Sequence, residues 1–305
     1  MSEREHWTLA QRGEYVLARI LQCLPGSWTS AIGAMLGAFA ARRAIRSRRK
    51  WVDRLHENFR HYRGENDAEE RRRRIIEFIA GVGRVHAEFM VQQKIVADGR
   101  LEIIGKEHLP PPGQQVIIVS SHLANWELAY SVLPSLGRPF CLLYLPLKNP
   151  VKRKLALEAR KRWKGDNEFV PTEAGALRRI DRAIERGLNV LMFIDEEKNG
   201  CIRAPALGRT IPYAGNRWFA ARLAVRHGLD VLPVHIERTG AARYRAVFSP
   251  RLRADEGCAD DTDRAQKLAD VLDSLQEGWI RSALEDWYWL PYFDRNITQP
   301  RDAGS

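Results

Sequence analysis

The sequence predicts an α/β fold: a mixed, mainly parallel sheet flanked by helices, preceded by a helical N-terminal subdomain. Three observations carry that prediction. After residue 100, short apolar and β-branched runs alternate with segments of helical period. Before about residue 95 the pattern reads as helices alone. At 305 residues, 45% of them hydrophobic, the chain can bury one large core without a second independent unit. We therefore read 1–95 as a helical segment and 96–305 as one continuous α/β domain. No Pro/Gly/Ser-rich linker, repeat or low-complexity tract interrupts the latter.

Within the first segment, residues 1–25 open with charges and lack the apolar core and small-residue cleavage site of a signal peptide. Residues 28–41 are uncharged, but 14 residues fall short of the ~20 that span a bilayer. Residues 41–74 then carry thirteen Lys/Arg against six Asp/Glu. An apolar stretch with Trp28 and Phe39, followed by basic residues, suits a segment that lies on an anionic leaflet. A core helix followed by a solvated basic helix accounts for the same pattern.

The strands follow in order. After the turn Pro110-Pro111-Pro112-Gly113, residues 116–119 predict a buried strand ending near Ser120. Residues 123–136 predict a helix with Ser121 as N-cap. Further strands are expected at 140–145, 190–194, 231–236 and 244–248, separated by helical patterns such as 174–186 and 217–227. Residues 122, 127 and 195–196 then fall at the carboxyl ends of strands, the edge where open α/β sheets hold ligands.

His122 and Glu127 are the candidate catalytic pair. Inside one regular helix, five steps would set them about 140° apart, whereas a turn at His122 lets the glutamate fold back. With Glu127 on one ring nitrogen, the imidazole is held in one tautomer and the other nitrogen can take a proton. Such a base deprotonates a hydroxyl for attack on an activated acyl carbonyl. The positive end of the following helix would oppose early protonation of the ring. A structural histidine capping a helix, with Glu127 exposed, is the alternative. Ser120 and Ser121 lack the Gly-x-Ser-x-Gly elbow of a serine nucleophile, which favours direct transfer.

His122-Leu-Ala-Asn-Trp-Glu127 resembles the His-x-x-Asn-Trp-Glu block of the bacterial lipid A biosynthesis acyltransferases, within the glycerolipid acyltransferase superfamily and its His-x4-Asp/Glu motif. Tyr144-Leu-Pro146 with Asn149-Pro150 is similar to the family's Tyr-Arg-Pro…Asn-Pro segment, and Arg160 stands where the family carries a functional arginine. Asp195-Glu196 resembles its Asp-Gln strand end, Leu207-Gly208-Arg209 through Gly215 its Phe-Phe-Gly…Gly segment, and Trp287-Tyr288-Trp289 its Tyr-x-Trp-x-His block. The resemblance runs from about residue 40 to 293. Leu145, Glu196 and Pro291 replace the family's arginine, glutamine and late histidine, at positions expected to face the substrate.

The resemblance implies a membrane-associated acyltransferase, peripheral or monotopic, at the cytoplasmic face of the inner membrane. It would move a fatty acyl chain from a thioester of acyl carrier protein or coenzyme A to a hydroxyl of a lipid A-type glycolipid precursor. His122 would be the general base and Glu127 its orienting partner. Arg160 would hold the developing negative charge or a substrate phosphate. Asn125, Asp195, Glu196 and Arg209 are further candidates for oxyanion or substrate binding. Asp195 and Glu196 suit either positioning the acceptor or bracing the histidine, and equally a helix cap or salt bridge; Arg209 suits a phosphate contact or a plain surface position. Trp287 and Trp289 read as core or membrane-interface anchors. A different acceptor, such as a lysophospholipid or a mannosylated phosphatidylinositol, and a non-catalytic lipid- or carrier-protein-binding module are the competing readings.

Composition narrows the partners. Cys23, Cys141, Cys201 and Cys258 lie far apart with no Cys-x-x-Cys pair, which predicts reduced thiols in a cytoplasmic setting and no zinc site. The eight histidines show no metal-binding spacing, so we expect no metal and no cofactor beyond the donor thioester. A formal charge of +11 calls for an acidic partner. No helix-turn-helix, zinc finger or aromatic RNA-binding signature is present, so nucleic acid is not expected. An anionic membrane, a phosphorylated glycolipid and acyl carrier protein each account for the charge. A second basic cluster, Lys152, Arg153, Lys154, Arg160, Lys161, Arg162 and Lys164, follows the motif strands.

Overall fold

The computed structural model describes residues 7–135, 138–160, 166–172, 175–255 and 257–299. Five helices come first: α1 Leu9–Cys23, α2 Gly26–Arg46, α3 Lys50–Arg63, α4 Ala68–Glu88 and α5 Gln92–Ala97. Local signals set their ends. Thr8 and Gln11 form a reciprocal capping box at α1, Gly64 in the left-handed region stops α3, and the Asp67 side chain caps α4. The α2 and α4 helices touch backbone to backbone. A Cβ built on Gly83 would stand 2.2 Å from the Gly33 carbonyl oxygen, and one on Gly37 would stand 2.4 Å from that of Ile79.

The remaining elements are β1 Leu101–Ile104, β2 Val116–Ser120, α6 Leu128–Ser135, β3 Phe140–Tyr144, α7 Pro150–Arg160, β4 Glu168–Pro171, α8 Ala176–Glu185, β5 Asn189–Phe193, β6 Glu197–Lys198, β7 Cys201–Ile202, α9 Gly215–His227, β8 Asp230–Gly240, β9 Arg243–Phe248 and α10 Asp261–Ser282. Seven strands form one sheet in the order β1-β9-β8-β2-β5-β3-β4, and β6 pairs β7 in a separate hairpin. In the large sheet every pairing is parallel except β8 with β9. The predicted class, a mainly parallel mixed sheet between helices, is the one found.

Both faces of the sheet are covered. Ile118, Leu191 and Leu232 meet Ile95 of α5 and Leu128 and Val132 of α6 on one side. Ile117, Val119, Val190 and Val231 meet Ile180 of α8, Leu223 of α9 and Leu268 of α10 on the other. Double-sided burial is why β2 and β5 read as continuous apolar runs without alternation. A third cluster joins Leu55, Phe59, Ile75 and Phe78 of α3 and α4 to Trp279, Trp287, Leu290 and Phe293. The N-terminal helices thus share a core with residues 279–293, and that shared core seats Trp287.

Two features depart from expectation. β1 and β4, at the two edges of the sheet, were not anticipated. β1 is four residues with alternating exposure, and β4 ends in a proline, so neither carries a strong apolar signal. The helix after β2 begins at Leu128 rather than 123. Residues 121–127 form an irregular turn, because their backbone is occupied elsewhere. Leu123 makes an antiparallel bridge with Trp287, Ala124 donates to the Asp286 carbonyl at 3.0 Å, and Ala124 itself has φ 47°. Ser121 therefore caps nothing; its buried hydroxyl accepts from Gln276 Nε2 at 2.8 Å. Among the described residues, no helix is long and apolar enough to cross a membrane.

Candidate active site

The site is assembled by strand register. Parallel pairing of β2 with β5 sets Ser120 opposite Phe193, and the Ile194 N–H donates to the Ser120 carbonyl at 3.0 Å. His122 and Asp195 each lie two residues beyond that pair, so they leave the sheet side by side. His122 Nδ1 stands 2.8 Å from Asp195 Oδ1, and the His122 backbone N–H donates to Asp195 Oδ2 at 2.8 Å. The carboxylate is fully buried, while the imidazole side chain keeps 19% exposure. Among the described residues Nε2 has no hydrogen-bond partner.

The carboxylate on the ring is thus Asp195, and none of the histidine's hydrogen bonds goes to Glu127. Glu127 sits half-buried in the turn just before α6. The expected fold-back fails because the turn runs on to Leu128, and the place on Nδ1 is already filled across the sheet. His122 lies six residues before the first residue of α6, so it is not at that helix's N-terminus as expected.

Residues 284–289 form the second wall. Trp287, fully buried, donates from Nε1 to Asp195 Oδ2 at 3.0 Å. Tyr288 N–H donates to the His122 carbonyl at 2.9 Å, and Trp289 Nε1 lies 3.1 Å from His122 Nδ1. Rings enclose the imidazole: Phe193 at 4.4 Å between centroids, Trp289 at 5.2 Å, Trp126 at 5.4 Å and Tyr288 at 6.3 Å. Burial pushes the Tyr288 phenol above its ordinary pKa. The ring is thus set among aromatic side chains, with part of its edge still exposed.

The other predicted residues scatter into supporting positions. Asn125 is fully buried and donates to Glu88 Oε2 at 2.9 Å. Glu88 also accepts from the Tyr244 hydroxyl and lies 3.8 Å from Arg238, so Asn125 ties the motif turn to α4 and to β8 and β9. Glu196 accepts from the Asn216 N–H at 3.0 Å, where it caps α9, and Arg203 is 3.6 Å away. Burial pushes its pKa up to about 7, against the pull of the Asn216 N–H. Arg209 spends its whole fork on main-chain carbonyls of Ile202, Pro205, Ala206, Asp294 and Ile297 and lies 4.3 Å over the Phe293 ring. That clasp leaves no donor for a phosphate. Arg160 closes α7, and its side chain lies outside the described residues, as do Lys161, Arg162 and Lys164. Lys152, Arg153 and Lys154 are exposed on α7. Among the described residues no group of three or more His, Cys, Asp or Glu is placed to hold a metal ion.

The sequence places Asp195 at a strand end, bracing the histidine, positioning the acceptor, or serving as a helix cap or salt-bridge partner, and reads Trp287 and Trp289 as core or membrane-interface anchors. Trp287 is indeed a core residue, and its bond to Asp195 is the part without a sequence signal. Glu88 was missed altogether, since a glutamate late in a charged helix carries no signal of burial.

A family model described as bacterial lipid A biosynthesis acyltransferase matches residues 13–292. The crystal structure of the 1-acyl-sn-glycerophosphate (LPA) acyltransferase PlsC from Thermotoga maritima is similar at 13% sequence identity, with a TM-score of 0.40, covering 82% of this chain and 97% of that one. Among curated proteins no sequence match is found.

Proposed function

This chain belongs to the bacterial lipid A biosynthesis acyltransferase family and is an acyltransferase; we propose that it moves a fatty acyl group from a thioester to a hydroxyl of a lipid A-type precursor, with His122 as general base. The observation that carries this reading is the His122–Asp195 pair, with Nδ1 held on a buried carboxylate and the partly exposed ring set among Trp126, Phe193, Tyr288 and Trp289. In this scheme Nε2 takes the proton of the acceptor hydroxyl as its oxygen bonds to the thioester carbonyl carbon. The carbonyl π pair moves onto oxygen to give a tetrahedral oxyanion. Collapse breaks the C–S bond, and the leaving sulfur takes the proton back from Nε2. Asp195 fixes the tautomer and stabilises the imidazolium between the two steps.

The donor is acyl carrier protein or coenzyme A, and the exposed Lys152, Arg153 and Lys154 suit either acidic carrier. The setting is the surface of an anionic membrane. Support comes from side chains exposed on α1 and α2, namely Val16, Ile20, Trp28, Met35 and Phe39.

The test presents the protein with acyl carrier protein and coenzyme A thioesters of a labelled fatty acid, together with a lipid A precursor, lysophosphatidic acid and a mannosylated phosphatidylinositol. The product is identified by mass. Label on the lipid A precursor, abolished by H122A in a folded protein, is expected. Label on another lipid reassigns the acceptor, and full activity of H122A removes His122 as the base.

A further inference from the structure

One nitrogen in the site faces two partners with opposite demands. His122 Nδ1 lies 2.8 Å from an oxygen of Asp195 and 3.1 Å from Nε1 of Trp289. A carboxylate only accepts hydrogen bonds and an indole N–H only donates. Nδ1 satisfies the carboxylate when it carries a proton, and satisfies the indole when it does not.

The surroundings decide which partner keeps it. Asp195 is fully buried, and its Oδ2 is fixed by two further N–H donors, the His122 backbone at 2.8 Å and Trp287 Nε1 at 3.0 Å. Oδ1 is thereby aimed at Nδ1 from a rigid strand end. A bare Nδ1 would put its lone pair against a buried carboxylate at 2.8 Å, so the proton resides on Nδ1. The Trp289 N–H then faces another N–H, and among the described residues it has no other hydrogen-bond partner. Trp289 is half-buried against the partly exposed imidazole, and a donor left without a protein acceptor is satisfied by an oxygen from outside the protein.

We propose that the Trp289 indole N–H is a catalytic donor that bonds an oxygen of the bound substrates, the acyl carbonyl oxygen as it becomes the oxyanion or the attacking hydroxyl oxygen. This rests on the reading of His122 as the base. Donation to the carbonyl oxygen strengthens as the C=O π pair moves onto oxygen and relaxes when the C–S bond breaks, so it favours the transition state over the bound thioester.

The experiment replaces Trp289 with 3-benzothienylalanine, which keeps the fused ring and puts sulfur in place of the N–H. Thiol release is measured with palmitoyl-coenzyme A and palmitoyl-acyl carrier protein as donors and a lipid A precursor or lysophosphatidic acid as acceptors, across pH. A loss of kcat of about 10²-fold at unchanged KM supports donation to the acyl oxygen, and a raised KM for the lipid supports donation to the acceptor hydroxyl. Wild-type kinetics overturn the proposal. So does a loss that vanishes on shifting the pH profile, since the indole would then act only through the imidazole. H122A run alongside separates the two levels: if it is active, the reading of His122 fails, and if it is dead while the Trp289 analogue is normal, only this inference fails.

Discussion

Glu196 holds an acid in a place that favours its neutral form. Burial raises its pKa from 4.5 to about 7, and Oε2 has no hydrogen-bond partner among the described residues. The folded state therefore binds this proton more tightly than the unfolded chain, so the contribution to stability is complete below about pH 4.5 and is lost as pH rises through about 7. E196Q keeps an amide oxygen for the Asn216 N–H and removes the titration. In urea unfolding, the wild-type midpoint should fall relative to E196Q between pH 5 and pH 8, by the equivalent of roughly 3 kcal/mol at most. Parallel midpoints at both pH values would show that the carboxyl is solvated. Glu196 also marks what sequence could reveal at this scale. His122 was legible because its residue type, strand end and motif agree. Its partner was legible only as one of several uses of Asp195, with Glu127 preferred, because Asp195 arrives through the register of β2 and β5, which spacing along the chain does not encode. Arg209 and Asn125 resembled substrate ligands for a related reason: a polar side chain in a motif looks alike whether it meets a substrate or a buried carbonyl or carboxylate.

At the scale of elements, legibility followed burial. The central strands were found because both faces are covered, whereas β1 and β4 lie at edges and were not. The start of α6 was misplaced because tertiary hydrogen bonds from residues 286–288 hold the turn open, against residues that otherwise favour a helix. The helical segment before residue 95 was anticipated, but nothing in its pattern announced that α2 and α4 meet through Gly33, Gly37 and Gly83. Two glycine substitutions separate local preference from packing. Gly13 lies inside α1 with nothing within 4 Å of a built Cβ. G13A should raise stability by about 0.5–1 kcal/mol through helix preference alone. G83A gains the same preference, yet its Cβ would stand 2.2 Å from the Gly33 carbonyl oxygen. Forcing the two backbones apart costs about 1–3 kcal/mol, so G83A should lower Tm while G13A raises it. Shifts of the same sign would mean that the α2–α4 contact is loose.

For the whole molecule, the outer side of α1 and α2 carries an exposed apolar face. Trp28, Met35 and Phe39, exposed at 65%, 63% and 68%, are spaced by seven and four residues and so share one stripe of α2. The stripe continues into Arg42 and Arg46, both exposed. Val16 and Ile20 on α1 are likewise exposed, at 56% and 54%. The α1 helix is in turn clamped to α7: Arg19 bonds Glu158 at 2.9 Å, and Glu14 accepts from Asn149 at 3.1 Å and lies 3.7 Å from Lys152. Burying two aromatic side chains in an acyl layer contributes up to about 3 kcal/mol each, and basic residues beside an anionic surface add about 1 kcal/mol each at low salt. Binding to phosphatidylglycerol vesicles should therefore exceed binding to phosphatidylcholine vesicles and weaken in 0.5 M salt, where the Debye length shrinks to about 4 Å. The two contributions are separable in co-sedimentation. The double change W28S/F39S should cut affinity at least tenfold for both lipids, since it removes apolar burial. The double change R42E/R46E should abolish the preference for phosphatidylglycerol while sparing residual binding to phosphatidylcholine. If both variants sediment like the wild type, this face is not the docking surface, and the charge of +11 serves the carrier or the substrate instead.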